Sequence, residues 1–256
     1  MLHSLEGNRM KLFGLIGFPL THSFSKKYFA EKFEREGIVD CAYELYPIER
    51  ISMLAALLVD QPAIAGMNVT IPYKVAVLDF VDELDPAAAY IGAVNTLHIS
   101  DRGGKRFIKG YNTDAYGFEA SLKPLLEPQH KHALIFGDGG AAKAVKYVLE
   151  QLNISYTSVL RKPQEGCLTY GDLNESSIAT STILINTTPL GTYPDVEACP
   201  DIPYEFITSQ HLAYDLVYNP EETTFLQRAK AQGAKTKNGL NMLHLQAERA
   251  WTIWTA

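Results

Sequence analysis

Cysteine is scarce. Cys41, Cys167 and Cys199 are the only three in 256 residues, and no two form a CxxC pair. An odd count without that spacing leaves no case for a disulfide framework and fits reduced thiols in a cytoplasm. The seven histidines show no HxxxH pattern, so no metal site is expected, and His98, His132 and His244 read as packing or surface residues. Basic charge is also short. Lys and Arg number 23 against 29 Asp and Glu, a net charge of −6, which is the wrong sign for a surface that binds phosphate backbones; no nucleic-acid partner is expected. Long apolar runs are missing too. None approaches the ~18–20 residues that span a bilayer, and no signal-peptide hydrophobic stretch stands near the start, so no membrane partner is expected. Internal repeats and low-complexity tracts do not occur.

What is present is an ordinary globular composition, 46% hydrophobic and 20% charged, with enough apolar material for one large or two medium domains. Residues 1–9 carry no periodicity, and Met10-Lys11 stand directly before the strand-like Leu12–Ile16, which makes Met10 the expected natural start. Strand and helix patterns then alternate. A helix over Ser25–Glu36, with Tyr28, Phe29 and Phe33 on one face and Gly37 at its end, is followed by a strand over Ala42–Tyr46 and a helix over Ile51–Val59. A strand over Ile64–Val69, a helix from Tyr73 and a strand over Ala93–Ile99 complete this series. A helix from Asp114 to about Leu126 leads into a second series. That series has strands over His132–Phe136, Ile154–Leu160, Ile183–Asn186 and His211–Leu216, with helices over Gly140–Leu152 and Glu221–Gln232. Residues 161–181 read as loop with room for one short helix, and an amphipathic helix over Leu240–Trp254 closes the chain. Such alternation predicts an α/β fold of parallel βαβ units, with ligands bound at the edge where the strands end.

The stretch Asn68-Val69-Thr70-Ile71-Pro72-Tyr73-Lys74 is the most unusual on local grounds. Pro72 suits a first helical position, which places Lys74 in the first turn. A cation there opposes the helix dipole, at a cost of roughly 0.3–1 kcal/mol, so Lys74 is either an idle solvated charge or has a task.

His132–Phe136 followed by Gly137-Asp138-Gly139-Gly140-Ala141-Ala142 is a strand, a glycine turn and a helix start. It is the dinucleotide-binding fingerprint, with Gly137 and Gly139 at the first two glycine positions and Ala142 at the third. Gly137 permits the turn, Gly139 lets the backbone approach a diphosphate, and the helix N-terminus from Gly140 and Ala141 offers free N–H groups. An acidic residue about 20 positions on, at the end of the next strand, would select a free ribose 2′-hydroxyl. Here that strand ends in Leu160-Arg161-Lys162, which suits a 2′-phosphate, so NADP is the expected cofactor with Arg161 as chief contact. Asp138 is out of place, since a carboxylate beside a diphosphate repels it.

Four polar clusters precede that turn: Ser23-Phe24-Ser25, Asn68–Lys74, Gly92–Thr96 and Gly110–Asp114. Each lies at a strand–helix junction or beside a strand. Singly, Ser23 or Ser25 reads as a helix cap, Asn95 as a turn residue and Asp114 as a helix cap. Jointly they offer hydroxyls, amides, one cation and one anion, an inventory suited to a small polyhydroxylated carboxylic acid.

The ordered set Gly17-Phe-Pro-Leu-Thr-His-Ser-Phe-Ser25, Asn68-Val-Thr-Ile-Pro-Tyr-Lys74, Gly92-Ala-Val-Asn-Thr96 and Gly110-Tyr-Asn-Thr-Asp114 strongly resembles the motifs of the shikimate dehydrogenase family. The resemblance continues through Gly137-Asp-Gly-Gly-Ala141, Asn186-Thr-Thr-Pro-Leu-Gly191, Asp215-Leu-Val-Tyr-Asn-Pro220 and Gly239…Gln246-Ala247. It thins only at 161–181. It implies NADPH-dependent reversible reduction of 3-dehydroshikimate to shikimate, in the route to aromatic amino acids. It further implies two α/β domains: an N-terminal substrate-binding domain, 1–113 with 239–256, and a Rossmann-like NADP-binding domain, 114–238, the last helix returning to the first domain. By matching positions, Ser23 and Ser25 hold the substrate carboxylate with Tyr218 near it, and Asn68, Thr70, Asn95, Asp114 and Gln246 bind ring hydroxyls. Lys74 and Asp114 form the catalytic pair, with the proton carried by either. Gly137, Gly139, Gly140, Ala141, Arg161, Thr187, Leu216 and Gly239 are the cofactor contacts. A cytoplasmic monomer or homodimer is expected. Three positions depart from the family pattern, Leu160 and Lys162 around Arg161 and the acidic Asp138. Ser25 is the residue of shikimate users, where quinate-preferring relatives carry threonine. The alternatives are a quinate/shikimate dehydrogenase using NAD and a non-catalytic dinucleotide-binding module.

Overall fold

A computed structural model describes residues 10–20 and 23–256. Segment 1–9, and Thr21 and His22 of the first motif, lie outside the described residues. The chain divides into two compact units: the chain up to Thr113 with Ala247–Ala256, and Asp114–Gln246.

The first unit contains β1 (Lys11–Gly17), α1 (Phe24–Glu36), β2 (Cys41–Pro47), α2 (Leu54–Asp60), β3 (Ile64–Val69), β4 (Glu83–Leu84), α3 (Pro86–Ile91), β5 (Thr96–Arg102) and β6 (Lys105–Tyr111). Its sheet runs β2-β1-β3-β5-β6-β4. The β1, β2 and β3 strands are parallel, but β5 is antiparallel to both β3 and β6. The purely parallel arrangement expected from alternation therefore holds for only part of this sheet. Between β5 and β6 the cause is a hairpin: Arg102 pairs with Lys105 across Gly103 and Gly104, both at positive φ, as a two-residue connection requires. Ile16, Leu54, Ile64, Met67 and Leu97 form the core on one side. On the other, Phe13, Phe29, Tyr43 and Trp254 pack together, with the Phe13 and Trp254 rings stacked at 4.9 Å. Gly66 is needed there, since a Cβ would fall 2.3 Å from the Trp254 ring.

The expected helix from Tyr73 does not form. The Ile71–Pro72 bond is cis, and the Tyr73 N–H returns to the Thr70 carbonyl at 2.9 Å, closing a tight turn before a short 3-10 segment at Ala76–Phe80. Lys74 thus sits in a turn, and the dipole argument against it does not apply.

The second unit contains α4 (Thr113–Leu122), β7 (His132–Phe136), α5 (Gly140–Gln151), β8 (Ser155–Leu160), β9 (Leu168–Thr169), α6 (Glu175–Thr180), β10 (Ile183–Asn186), β11 (Leu212–Asp215), α7 (Thr224–Ala231) and β12 (Lys235–Lys237). The long α8 (Leu240–Trp254) begins in this unit and ends in the first, where Ala247, Ala250 and Trp254 are buried. The sheet, β12-β11-β10-β7-β8-β9, is parallel throughout. Its inner strands β10 and β11 are buried at every residue, as strands covered on both faces must be. From β7 the chain winds to β8 and β9 on one side and to β10, β11 and β12 on the other. The β7/β10 pair is therefore a topological switch point, where α/β sheets leave a crevice at the strand ends.

Candidate active site

Register brings Asn68, Thr96 and Tyr111, from three of the polar clusters, to one edge of the first unit's sheet. Leu15 pairs with Asn68, Asn68 with Thr96, and Thr96 with Tyr111, so the ends of β1, β3 and β6 and the start of β5 coincide. Along this edge runs a buried chain of hydrogen bonds. The Ser25 hydroxyl meets the Tyr43 phenol, which donates to Asn68 Oδ1 at 2.8 Å. Asn68 Nδ2 donates to Thr96 Oγ1 at 3.2 Å, and Thr96 Oγ1 lies 3.1 Å from Thr113 Oγ1. Asn95 closes the group, donating to Thr113 Oγ1 at 3.0 Å and accepting the Thr113 N–H at 2.7 Å. With Tyr43 and Thr96 engaging both ends of the Asn68 amide, its orientation is set. Burial pushes the Tyr43 phenol well above its ordinary range, although Ser25 opposes the shift; Tyr43 acts here as a neutral group.

The single-residue readings hold in part. Ser23 caps α1, accepting the Lys26 N–H at 3.3 Å, whereas Asn95 is a buried network member and not a plain turn residue. The Thr70 N–H bonds the Ile16 carbonyl at 3.0 Å, and the Lys74 carbonyl accepts from Val94 N at 2.7 Å. These main-chain bonds fix the turn without drawing on the Thr70 and Lys74 side chains. Asp114 is buried in the first turn of α4, where a carboxylate complements the helix dipole. In α8, Gln246 is buried and donates to the Leu243 carbonyl at 3.0 Å. Tyr218 is exposed on the loop after β11, its phenol pushed upward by partial burial.

At the switch point of the second unit lies a pocket of ≈ 560 Å³ lined by Gly137, Gly139, Arg161, Tyr170, Thr187 and Thr188, among others. Gly137 is obligatory: its φ is +104°, and a Cβ would stand 2.8 Å from Thr187 Oγ1. Gly139 is the N-cap of α5 and brings no side chain to the helix end, and the space where a Cβ would point is open. Free N–H groups at such an end, facing an unobstructed pocket, fit a diphosphate. Arg161 lines the pocket beside Tyr170; burial raises that phenol and the Arg161 charge draws it back. Lys162 is exposed and lies outside the lining. The oddity of Asp138 is resolved by α5, from which Lys146 forms an ion pair with its carboxylate. Of the other expected cofactor residues, Gly140 and Ala141 open α5. Leu216 and Gly239 lie beyond the pocket lining, where they meet each other so closely that a Cβ on Gly239 would be 2.1 Å from the Leu216 carbonyl oxygen.

Behind the pocket, Asp215 is wholly buried, and burial pushes its carboxyl up from 3.8 to about 6, although Thr223, Val217 N–H and Asn186 all donate to it. Because the native state holds this proton more tightly than the unfolded chain, the stabilisation is present below the unfolded value near pH 4. It is lost as pH rises through about 6. Between pH 4 and pH 7 the wild type should therefore lose about 2 kcal/mol of unfolding free energy relative to Asp215→Asn. Denaturant titrations of both proteins at the two pH values check this; taking their difference cancels the carboxylates held low by neighbours, such as Glu36 by Lys32 and Arg35.

Residues 15–97 match the family described as the shikimate dehydrogenase substrate binding domain. The NADP(+) shikimate dehydrogenase of Desulforamulus reducens is 36% identical, with 100% of this chain and 93% of that protein covered. The chain belongs to the shikimate dehydrogenase family. Among solved structures of that family, the Thermus thermophilus shikimate 5-dehydrogenase in complex with NADP(H) and shikimate superposes with a TM-score of 0.82. It is 33% identical, covering 96% of this chain and 94% of that one. Shikimate dehydrogenases are not alone in this shape. A 5-ketofructose reductase of a Gluconobacter species is 32% identical with a TM-score of 0.81, covering 96% and 93% of the two chains.

Tyr43, Thr96 and Thr113 were missed as site residues by sequence reasoning. Tyr43 was within reach of it, since alternation along β2 turns Tyr43 inward beside an exposed Glu44. Asp215 opens the Asp215–Pro220 motif, and the motif alone assigns it no role. Among the described residues no helix is long and apolar enough to cross a membrane, and no group of three or more His, Cys, Asp or Glu side chains is placed to hold a metal.

Proposed function

We propose that this chain catalyses the reversible reduction of 3-dehydroshikimate to shikimate. The observation that carries this reading is the buried Tyr43–Asn68–Thr96–Asn95–Thr113 chain, with half-buried Ser25 beside its Tyr43 end. It presents preset amides and hydroxyls along one sheet edge, as a rigid polyhydroxylated ring requires. Ser23 and Ser25 hold the substrate carboxylate, with Tyr218 beside it. Asn68, Thr70, Asn95, Asp114 and Gln246 bind the ring hydroxyls. Asn68 is held by Tyr43 at its oxygen and by Thr96 at its nitrogen, so it meets the substrate in one set orientation.

The second unit's residues fit NADPH: Gly137 and Gly139 with the α5 N-terminus at Gly140 and Ala141 hold the diphosphate, Arg161 the 2′-phosphate, and Thr187, Leu216 and Gly239 the remainder. When bound, this cofactor supplies the hydride that adds to the ketone carbon. The oxygen left with negative charge is stabilised by the Lys74 ammonium and receives a proton from Lys74 Nζ or Asp114; in the oxidative direction the same group takes it back. Asp114 orients both Lys74 and a substrate hydroxyl. The free cysteines support a cytoplasmic location, with the enzyme a monomer or homodimer.

The 5-ketofructose reductase likeness supplies a second reading, a reductase of another polyol ketone. Steady-state assays of shikimate and quinate with NADP+ and NAD+, and of 5-ketofructose with NADPH, separate the two. The expected kcat/KM for shikimate with NADP+ exceeds every other combination by about tenfold or more, a difference of about 1.4 kcal/mol in transition-state binding. A 5-ketofructose or quinate value equal to that for shikimate would move the substrate assignment.

A further inference from the structure

Asp215 takes no part in the roles above, yet its carboxylate ties together three separate segments. Asn186 Nδ2, at the end of β10, donates to it at 2.9 Å; the Val217 N–H, just past β11, donates at 3.0 Å; and the hydroxyl of Thr223, the cap of α7, donates at 2.6 Å. No part of Asp215 reaches solvent (0%). A charge in that setting costs stability unless its hydrogen bonds are all made, and well-packed apolar residues would serve a purely structural purpose as well or better.

What the carboxylate controls is the Asn186 amide. Asn186 Oδ1 accepts both the N–H of Thr188, at 3.0 Å, and its hydroxyl, at 2.6 Å, while Nδ2 also reaches the Leu190 carbonyl at 3.4 Å. Asn186 thereby pins both ends of the Thr188–Leu190 loop, which forms one wall of the pocket at the switch point. An amide is nearly symmetrical in shape but not in its hydrogen bonds. Flipped, it would aim an NH2 at the Thr188 N–H and its oxygen at the Asp215 carboxylate, so the negative charge admits one orientation only. The Val217 bond extends the same control to the turn after β11, where Leu216 lies against Gly239.

We propose that Asp215 is a positioning residue for dinucleotide binding: through Asn186 it holds the Thr187–Leu190 loop, and through Val217 the Leu216 turn, in the shape the cofactor requires. The inference rests on the reading of this pocket as the NADP site. Two substitutions separate positioning from simple support. Asp215→Asn keeps an oxygen toward Asn186 and Val217 and can turn its NH2 to the Thr223 hydroxyl, so NADP+ binding should stay within about threefold of wild type. Asp215→Ala loses all three links and should bind NADP+ about tenfold more weakly or worse.

Binding is read by direct titration of NADP+ in the absence of substrate, alongside thermal unfolding and the KM for shikimate at saturating NADP+, which should stay within about twofold. If Asp215→Ala does not fold, Asn186→Ala cuts the same link from the loop side and should reproduce the loss. An alanine variant that binds NADP+ as tightly as wild type overturns the proposal. So does a loss shared equally by NADP+ and shikimate, which marks general support. A wild type that fails to bind NADP+ overturns the reading of the pocket itself, and this inference with it.

Discussion

Lys74→Met is expected to lower kcat by about 10²–10⁴-fold, the range that general acid–base catalysis contributes, with NADP+ binding and thermal stability close to wild type. What ties this position into the main-chain bonding of the fold is the Lys74 carbonyl, which accepts from Val94 N, and methionine keeps it. Two further variants divide the role. Lys74→Arg keeps a cation that does not release its proton, so a fall as deep as that of Lys74→Met assigns proton transfer to Lys74, whereas retained activity assigns it charge stabilisation and leaves the proton to Asp114. Asp114→Asn should also fall steeply, and combining it with Lys74→Met should cost far less than the sum of the two, because groups that act as a unit are not additive. Normal turnover by Lys74→Met in steady-state assays would remove Lys74 from the chemistry.

Arg161→Ala should raise the KM for NADP+ by about 10- to 100-fold, the value of one or two charge-assisted hydrogen bonds to a phosphate, and leave the KM for NAD+ within about twofold. The asymmetry follows from what is removed, since of the two dinucleotides only NADP+ carries the 2′-phosphate that the guanidinium is proposed to bind. Arg161 is exposed at the end of β8 and lines the pocket, so its loss should not move the unfolding temperature. Lys162→Ala, at an exposed position beyond the lining, should have a much smaller effect. Equal losses with both dinucleotides would place Arg161 on some other part of the cofactor.

The elements legible in the sequence are those whose signal is local. Ile64–Val69, His132–Phe136 and Ile183–Asn186 are short apolar runs bounded by polar or turn residues, and each is a strand with those limits. The amphipathic Leu240–Trp254 likewise forms a helix over that span. The dinucleotide turn was readable because its requirements lie within six consecutive residues. Other local signals were there but unread. Gly103-Gly104 is a two-residue hairpin connection, and Asp85-Pro86 with Gly92 is a cap, a first-turn proline and a terminating glycine around α3.

Around Pro72 the local signal pointed the wrong way. A proline suited to open a helix stands instead in a cis turn closed by Tyr73 and Thr70, and nothing in the flanking residues announces it. The polar chain through Tyr43 and the carboxylate hub at Asp215 were out of reach for a different reason. They depend on which strands lie side by side, so that residues 43, 68 and 96, or 186, 215 and 223, become neighbours only after the sheets form. Motif resemblance could identify the Asp215 segment but could not say what its first residue does.

The decisive measurement is the oxidation of NADPH by the purified protein with 3-dehydroshikimate as sole acceptor, the product being identified by mass spectrometry and NMR. Stoichiometric formation of shikimate, at a rate lost in Lys74→Met but not through loss of NADPH binding, is the predicted result. NADPH that binds but is not consumed, or that is consumed with 5-ketofructose in preference to 3-dehydroshikimate, would contradict it.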